Sequence, residues 1–391
     1  MTPLSVKRLS VIKPSRVLAT AALCVIVSML HGCGGGATDT HNASSGDKSG
    51  AKQVVNLYIW ADFLGPDTLT AFEQQTGIKV RVSYFETDET LESRLLTGNS
   101  GFDVVDPTAP FFQRQIRSGA YLPLDKGKIP NLVNLDPAIM SRVAENDPGN
   151  KYGVVYMWGT DGIGYNEALL ARALHNVPVN SWRLILDPTY AARLAGCGIN
   201  IFDSPTEMVR LVLRYLGKDP NAPSPNDLAE VERDLMRIRP FVRNIDSTGY
   251  IQAMANGDLC IAVGYNGDFI QARKRALEAA NGNRIAYVIP NEGSLIYFNM
   301  LAIPKDAPNA ANAHAFINYL LSPPVIAKIS NAIGYANANA ASTPLVDASI
   351  VTDTSVYPTA EERQRLFVQR DASPELSREI TRIWQRFKTG Q

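Results

Sequence analysis

From Val54 onward the chain alternates short apolar runs of strand character with helical segments, joined by connections of a few residues. A strand that reaches a parallel neighbour needs a helical crossover, so this alternation confines the chain to doubly wound α/β sheets with helices on both faces. Val54 to Trp60 alternates apolar and polar side chains as a strand does. Pro66 is placed to open a helix with Leu69 and Phe72 facing inward and Gly77 closing it. Ile78 to Phe85 is the second strand, and Asp88 to Thr97 a helix with Leu91, Leu95 and Leu96 at helical spacing. Phe102 to Val105 is a third strand ending at Asp106-Pro107-Thr108, and Phe111 to Arg117 a third helix. Three successive strand–helix units predict one lobe, with strand exits at Trp60, Phe85 and Asp106.

Tyr152 to Tyr165 is apolar but interrupted by Gly159, Gly162 and Gly164. Adjustable backbone of this kind suits a crossing between lobes, with Trp158 and Asp161 as hinge residues. A second strand–helix series follows, with strands at Cys197 to Phe202, Val242 to Ile245, Leu259 to Tyr265, Ile285 to Ile289 and Tyr297 to Ile303. Ser204-Pro205 and Ser224-Pro225 both read as helix starts, serine capping and proline at the first helical position. The expected division is residues 54–157 with 292–333 as one lobe and 158–291 with 334–391 as the other. A length of 391 residues fits two such units, at a prior of about 150 residues per domain.

The first 32 residues hold Lys7, Arg8, Lys13 and Arg16 with no acid, then an uncharged apolar run from Val17 to Leu30. That is the pattern of an export signal, and the run is short for a membrane span. Residues 33–53 are rich in Gly, Ser, Thr and Ala and are expected to be a flexible tether. Removing the leader leaves 34 basic side chains against 38 acidic, a net charge near −4 that argues against a nucleic-acid partner. Cys197 and Cys260 lie in an exported body where a disulfide can persist, two buried thiols on neighbouring strands being the alternative.

Acids recur at the strand exits: Asp62, Glu86, Asp106, Asp203 with Glu207, Asp246 and Asp268. Aromatic rings are interleaved with them: Trp60, Phe63, Tyr265, Tyr297 and Tyr335. Ligands of open α/β sheets sit beyond the carboxyl ends of the strands, and carboxylates beside aromatic faces suit a cation, above all an ammonium. Aspartate also caps helices, and Asp106, Asp203 and Asp246 are discounted on that ground. Catalytic signals are thin. His175 and His314 stand near no nucleophile motif, no G-x-S-x-G or H-E-x-x-H occurs, and Gly162-Ile163-Gly164 and Gly196-Cys197-Gly198 lack the third glycine of a dinucleotide fingerprint. No cofactor or metal is expected. A glycosidase working through paired carboxylates is the rival from another class.

The chain resembles the putrescine-binding periplasmic proteins of bacterial polyamine uptake, from about Val54 to Lys388. The resemblance is carried by Tyr58-Ile-Trp60, Gly77-Ile-Lys-Val80, Gly101-Phe-Asp103, Pro123-Leu-Asp125, Tyr156-Met-Trp158, Gly162-Ile-Gly-Tyr-Asn166, Tyr215-Leu-Gly-Lys-Asp-Pro220, Ala255-Asn-Gly-Asp258 and Tyr335-Ala-Asn-Ala-Asn339. Leu30-His31-Gly32-Cys33 resembles a lipobox, which implies a lipid on Cys33, although His31 is unusual there. The family implies two α/β lobes of the type II periplasmic-binding-protein fold, a ligand between them, hinge closure, and delivery to an inner-membrane ABC permease with its ATPase. It implies a monomer in the periplasm.

Carried over by resemblance, the ligand-binding set is Trp60, Ala61, Asp62, Phe63, Thr108, Glu207, Tyr265, Asp268, Tyr297, Asn299 and Tyr335. Asp268 matches the principal carboxylate. Ala61 stands where a serine is usual, Tyr265 where a tryptophan is, Tyr297 where a phenylalanine is, and Asn299 where an aspartate grips the second ammonium. Asp161 is an extra acid where a neutral residue is usual. Putrescine is therefore the first expectation, with spermidine, cadaverine, agmatine and acylated polyamines open. An amine sensor that does not transport is the other reading.

Overall fold

The computed structural model describes residues 53–61, 63–175 and 177–391. The leader, Cys33, nearly all of the tether and Asp62 lie outside the described residues. Among those described, no helix is long and apolar enough to cross a membrane.

Among the described residues there are eleven strands: β1 (Val54–Trp60), β2 (Lys79–Phe85), β3 (Val104–Val105), β4 (Gly153–Asn166), β5 (Ile199–Ile201), β6 (Asn244–Ile245), β7 (Ile261–Tyr265), β8 (Ile285–Val288), β9 (Leu295–Ala302), β10 (Ala336–Asn337) and β11 (Phe367–Val368). They hydrogen-bond in the order β2-β1-β3-β9-β4-β7-β5-β6, with β8 and β10 on β4 and β11 on β9. The outer parts of this path are parallel, as the strand–helix alternation predicts: β1 beside β2 and β3, and β5 beside β6 and β7. The centre is not. β9 runs antiparallel to both β3 and β4, and β4 antiparallel to β7 and β8. The fold is mixed α/β, and its long central strand, β4, lies between β9 and β7.

Most elements follow from local chemistry. β1 buries both of its faces at most positions, so it reads as a nearly continuous apolar run. Helix α1 (Thr68–Thr76) ends at Gly77, whose φ of 71° lets its N–H reach the Glu73 carbonyl. Pro66 lies in the turn before it, and the helix starts at Thr68 behind a left-handed Asp67. Helix α2 (Asp88–Leu96) is capped by Thr87, whose hydroxyl accepts from the Thr90 N–H. The helix Pro225–Ile238 carries the expected serine cap in full, Ser224 and Asp227 bonding each other's backbone N–H groups.

The glycines expected to break β4 do not break it, since Gly153–Asn166 is one strand of 14 residues. They admit neighbouring rings instead. A Cβ at Gly159 would collide with the Tyr297 hydroxyl, at Gly162 with that of Tyr287, and at Gly164 with the Phe269 ring. Trp158 is buried, and its indole N–H donates to the Asn337 carbonyl at 3.0 Å, pinning β4 to β10.

Cys197 and Cys260 form a disulfide with Cα atoms 5.3 Å apart. It ties the start of β5 to that of its parallel neighbour β7, where the Cys260 N–H also donates to the Cys197 carbonyl. Closing a loop of this length contributes roughly 4 kcal/mol by restricting the unfolded chain.

Candidate functional site

One face of the central strands collects the site. Side chains directly opposite in an antiparallel pair share a face, and alternate residues along a strand return to it. Asn299 faces Met157, Tyr297 faces Gly159, and Asp161 faces Tyr265. Thr108 bridges Asn299, and Val105 faces Ala302, so Asp106 falls on the same face as Asn299. Asp106, Thr108, Asn299, Tyr297, Asp161 and Tyr265 therefore share one surface across β3, β9, β4 and β7.

At one end is Asp268, in the first turn of the helix Asn266–Glu278, where the helix N-terminus favours a negative charge. The Tyr250 hydroxyl donates to it at 2.6 Å. Burial raises the Asp268 carboxyl to about 6, and hydrogen bonds from Tyr250 and Tyr335 hold it from rising further. The Tyr335 ring packs against Phe63 with centroids 5.1 Å apart, which brings β1's exit segment over this end. Tyr156 fixes that segment by donating to the Phe63 carbonyl at 2.8 Å.

In the middle, the Tyr265 hydroxyl donates to Glu207 at 2.8 Å. Glu207 projects from the first turn of the helix Pro205–Tyr215. Its carboxyl is raised by burial, an effect opposed by hydrogen bonds from Ser204 and Tyr265 and by the charge of Arg210. Asp161 is fully buried, and neither of its oxygens has a hydrogen-bond partner. Burial, then the charge of Glu207, pushes it well above the usual carboxylate range. Tyr297 packs edge-on to Tyr265 at 5.4 Å and donates to Asn266.

At the far end the Trp60 indole N–H donates to the Asp106 carbonyl at 3.0 Å, and its ring packs on Phe85 at 4.6 Å. Thr108 donates through both N–H and hydroxyl to Asp88, at 3.0 and 2.6 Å. Burial lifts the Asp88 carboxyl to about 7, with Glu89 and Glu207 adding like charge. Asp106 is fully buried with both oxygens unpartnered, and burial and then Asp88 push it well up. Ala61 is exposed.

Two of the discounted acids are not caps. Asp106 is a buried, unpaired group of the site, while Asp203 accepts from the Trp384 indole and pairs with Lys388, outside it. Asp246 does accept from the Thr248 N–H in a local turn. Glu86 is exposed, as is His175. His314 is buried, with Nε2 accepting from the Asp125 N–H. Sequence reasoning missed Asp88, Tyr250 and Tyr156. The first hides as an ordinary acid in a helix's first turn, and the phenols carry no local signal.

A profile described as bacterial extracellular solute-binding protein matches residues 67–357. The chain belongs to that family. Within it, the putrescine-binding periplasmic protein PotF of Escherichia coli K12 is 43% identical over 350 residues, covering 89% of this chain and 95% of PotF. The putrescine-binding periplasmic protein SpuD of Pseudomonas aeruginosa is 42% identical over 340 residues, covering 87% and 93%. Among solved structures of such solute-binding proteins, the spermidine/putrescine ABC transporter protein PotD of Streptococcus pneumoniae superposes with a TM-score of 0.75 at 27% identity, over 86% of this chain and 99% of that one. The Tp0655 lipoprotein of Treponema pallidum, also a PotD, gives 0.73 at 25% identity, over 85% and 99%. These neighbours share the type II periplasmic-binding-protein architecture.

Proposed function

We propose that the chain captures putrescine or a related polyamine outside the cytoplasm and delivers it to an ABC permease. One observation carries this reading. Asp88, Asp106, Asp161, Glu207 and Asp268 converge on one cleft, and among the described residues none of them has a Lys or Arg within ion-pair distance. Arg210, buried beside Glu207, donates from Nη1 and Nη2 to the Thr206 and Arg370 carbonyls and makes no ion pair with Glu207. Buried like charge without a counter-ion is costly, and a polycationic ligand supplies what is lacking. Tyr265, Tyr297, Phe63 and Trp60 offer faces to methylene groups and to ammonium ions. The names of the 42–43% identical relatives point to the same ligand class.

On this reading Asp268 and Asp62 hold one ammonium, and the rings wall the methylenes. The expected lobes, 54–157 with 292–333 and 158–291 with 334–391, close about β4 at Trp158 and Asp161. The protein acts as a periplasmic monomer held to the membrane by lipid on Cys33, and its carboxylates bind without catalysing. Micromolar capture needs about −8 kcal/mol, within reach of apolar burial and two desolvated ion pairs. Isothermal calorimetry of the soluble body, residues 54–391, with a panel of amines tests the proposal. Saturable binding of a polyamine is the expected result. Absence of binding by every amine, or turnover of a sugar substrate, overturns it.

A further inference from the structure

Within the amine-binding reading, we propose that Asp161, paired with Glu207 across Tyr265, seats the second cationic nitrogen of a short diamine whose first nitrogen is held at Asp268. Asp161 stands outside the ligand-binding set that the resemblance implies. Among the described residues it is the one acid of the cleft with no donor at all. Asp88 takes two bonds from Thr108, Glu207 one from Tyr265 and Asp268 one from Tyr250, while Asp106 lies beside the Asn299 amide. Both Asp161 oxygens are completely buried. Buried polar groups are seldom left so, and a buried carboxyl with neither donor nor counter-ion is costly.

The fold does not account for an acid at this position. The backbone of Asp161 is held by its ladder with Tyr265 and by the Ser294 hydroxyl, which donates to its carbonyl at 2.6 Å. Neither contact uses the carboxyl.

The surroundings fit a cation instead. Asp161 and Tyr265 are directly opposite across β4 and β7, so their side chains share the cleft face. The Tyr265 hydroxyl reaches on to Glu207, and the Glu207 charge acts on Asp161. A nitrogen seated here meets two carboxylates, with an aromatic ring beside it. Burial raises the phenols of Tyr265 and Tyr297, and the charges of Asp161 and Asp268 add to the effect on both. The two carboxylates therefore flank one pair of rings, which pack edge to face at 5.4 Å. Tyr265 is about 5 Å from Asp161 at Cα, and Asp268 follows Tyr265 by less than one helical turn, about 5 Å. A single short ligand reaches both, its methylenes against the rings and a nitrogen at each carboxylate.

Binding of the four-carbon diamine and of the four-carbon monoamine to the purified protein tests the assignment, the monoamine being read by displacement of the diamine. The two ligands differ only in the nitrogen that Asp161 is proposed to seat. Asp161→Asn keeps side-chain volume, and it is expected to lower the ratio of diamine to monoamine affinity by ~10- to 100-fold, the worth of a charge-assisted bond. An acid needed only for the fold would cost both ligands alike and lower the melting temperature, whereas the unliganded variant is expected to melt no lower than wild type at neutral pH. An unchanged ratio overturns the proposal, as does a ratio that falls in Asp106→Asn but not in Asp161→Asn. A crystal structure of wild-type protein with the diamine needs no variant. It is expected to place a nitrogen within hydrogen-bond distance of an Asp161 oxygen, and a nitrogen at Asp106 with Asp161 untouched overturns the proposal. If wild-type protein binds neither amine, the amine-binding reading fails first, and this proposal with it.

Discussion

The two ends of the cleft treat their carboxylates in opposite ways. Asp268 sits at a helix N-terminus with a phenol donating to it, whereas Asp106 at the far end is buried beside the Asn299 amide and Asp161 in the middle has no donor on either oxygen. A carboxylate furnished with donors keeps its charge near neutral pH and waits as an anchor. One held only by burial is charged when a cation arrives to stabilise it. Affinity should therefore rest on the first end and discrimination on the second.

The sharpest way to break this contrast is Asp268→Ala. It should abolish amine binding in calorimetry, a loss of at least ~100-fold, because the anchor vanishes along with the charge its neighbours are arranged to support. Normal binding by this variant would place the anchor elsewhere. Next is Asn299→Asp, which should shift preference toward a short diamine by roughly 10-fold, since it restores a carboxylate where a shorter ligand can reach it. An unchanged ratio of spermidine to putrescine affinity in competition binding would remove Asn299 from the selectivity account.

The pH dependence is a smaller effect of fixed sign. The Asp88 and Asp268 carboxyls are raised to about 7 and about 6. A group raised in the folded state contributes stability that is complete below its ordinary pKa and lost as pH climbs through the folded value. The melting temperature of the unliganded protein should fall between pH 5 and pH 8. The increase produced by a saturating polyamine should grow over the same interval, because ionised carboxylates bind the cation. A ligand effect that shrinks as pH rises would contradict the assignment. Smallest is Tyr250→Phe, which removes one donor from Asp268 while leaving the ring in place. It should weaken binding about 10-fold, by ~1.5 kcal/mol, and make binding fall off at a higher pH than in wild-type protein.

The outer strands were legible in the sequence because each is a local pattern. β1 is a nearly continuous apolar run, α2 has its threonine cap, and Ser224-Pro225 has its capping box. The central antiparallel pair was not, because the partner of β4 lies more than a hundred residues away in β9. The site divided along the same line. Thr108, Glu207, Asp268 and Tyr335 could be named as candidates, since they lie at strand exits and in matching motifs. Asp106 was set aside as a cap because a lone acid at a strand exit looks the same whether it bonds a helix or is buried beside an amide. Its neighbour Asp88 is brought to the cleft only by Thr108. The disulfide was simpler, as two cysteines remained once the leader and Cys33 were set aside.

Gly159, Gly162 and Gly164 leave β4 with no side chains of its own where the rings of Tyr297, Tyr287 and Phe269 press on it. Of the three, Gly159 alone lies on the cleft face, with Met157 and Asp161, while Gly162 and Gly164 face the other side of the strand. An evolving lineage thus has little freedom to change its ligand by adding a side chain at Gly159. Any added methyl group meets a ring before it meets a ligand. Drift in ligand preference along the centre of the cleft must begin on the facing elements, and a new side chain on β4 becomes admissible only after the opposing ring has been trimmed. At Gly159 a Cβ would meet the Asn266 amide oxygen as well as the Tyr297 hydroxyl, so a side chain there needs both neighbours changed with it.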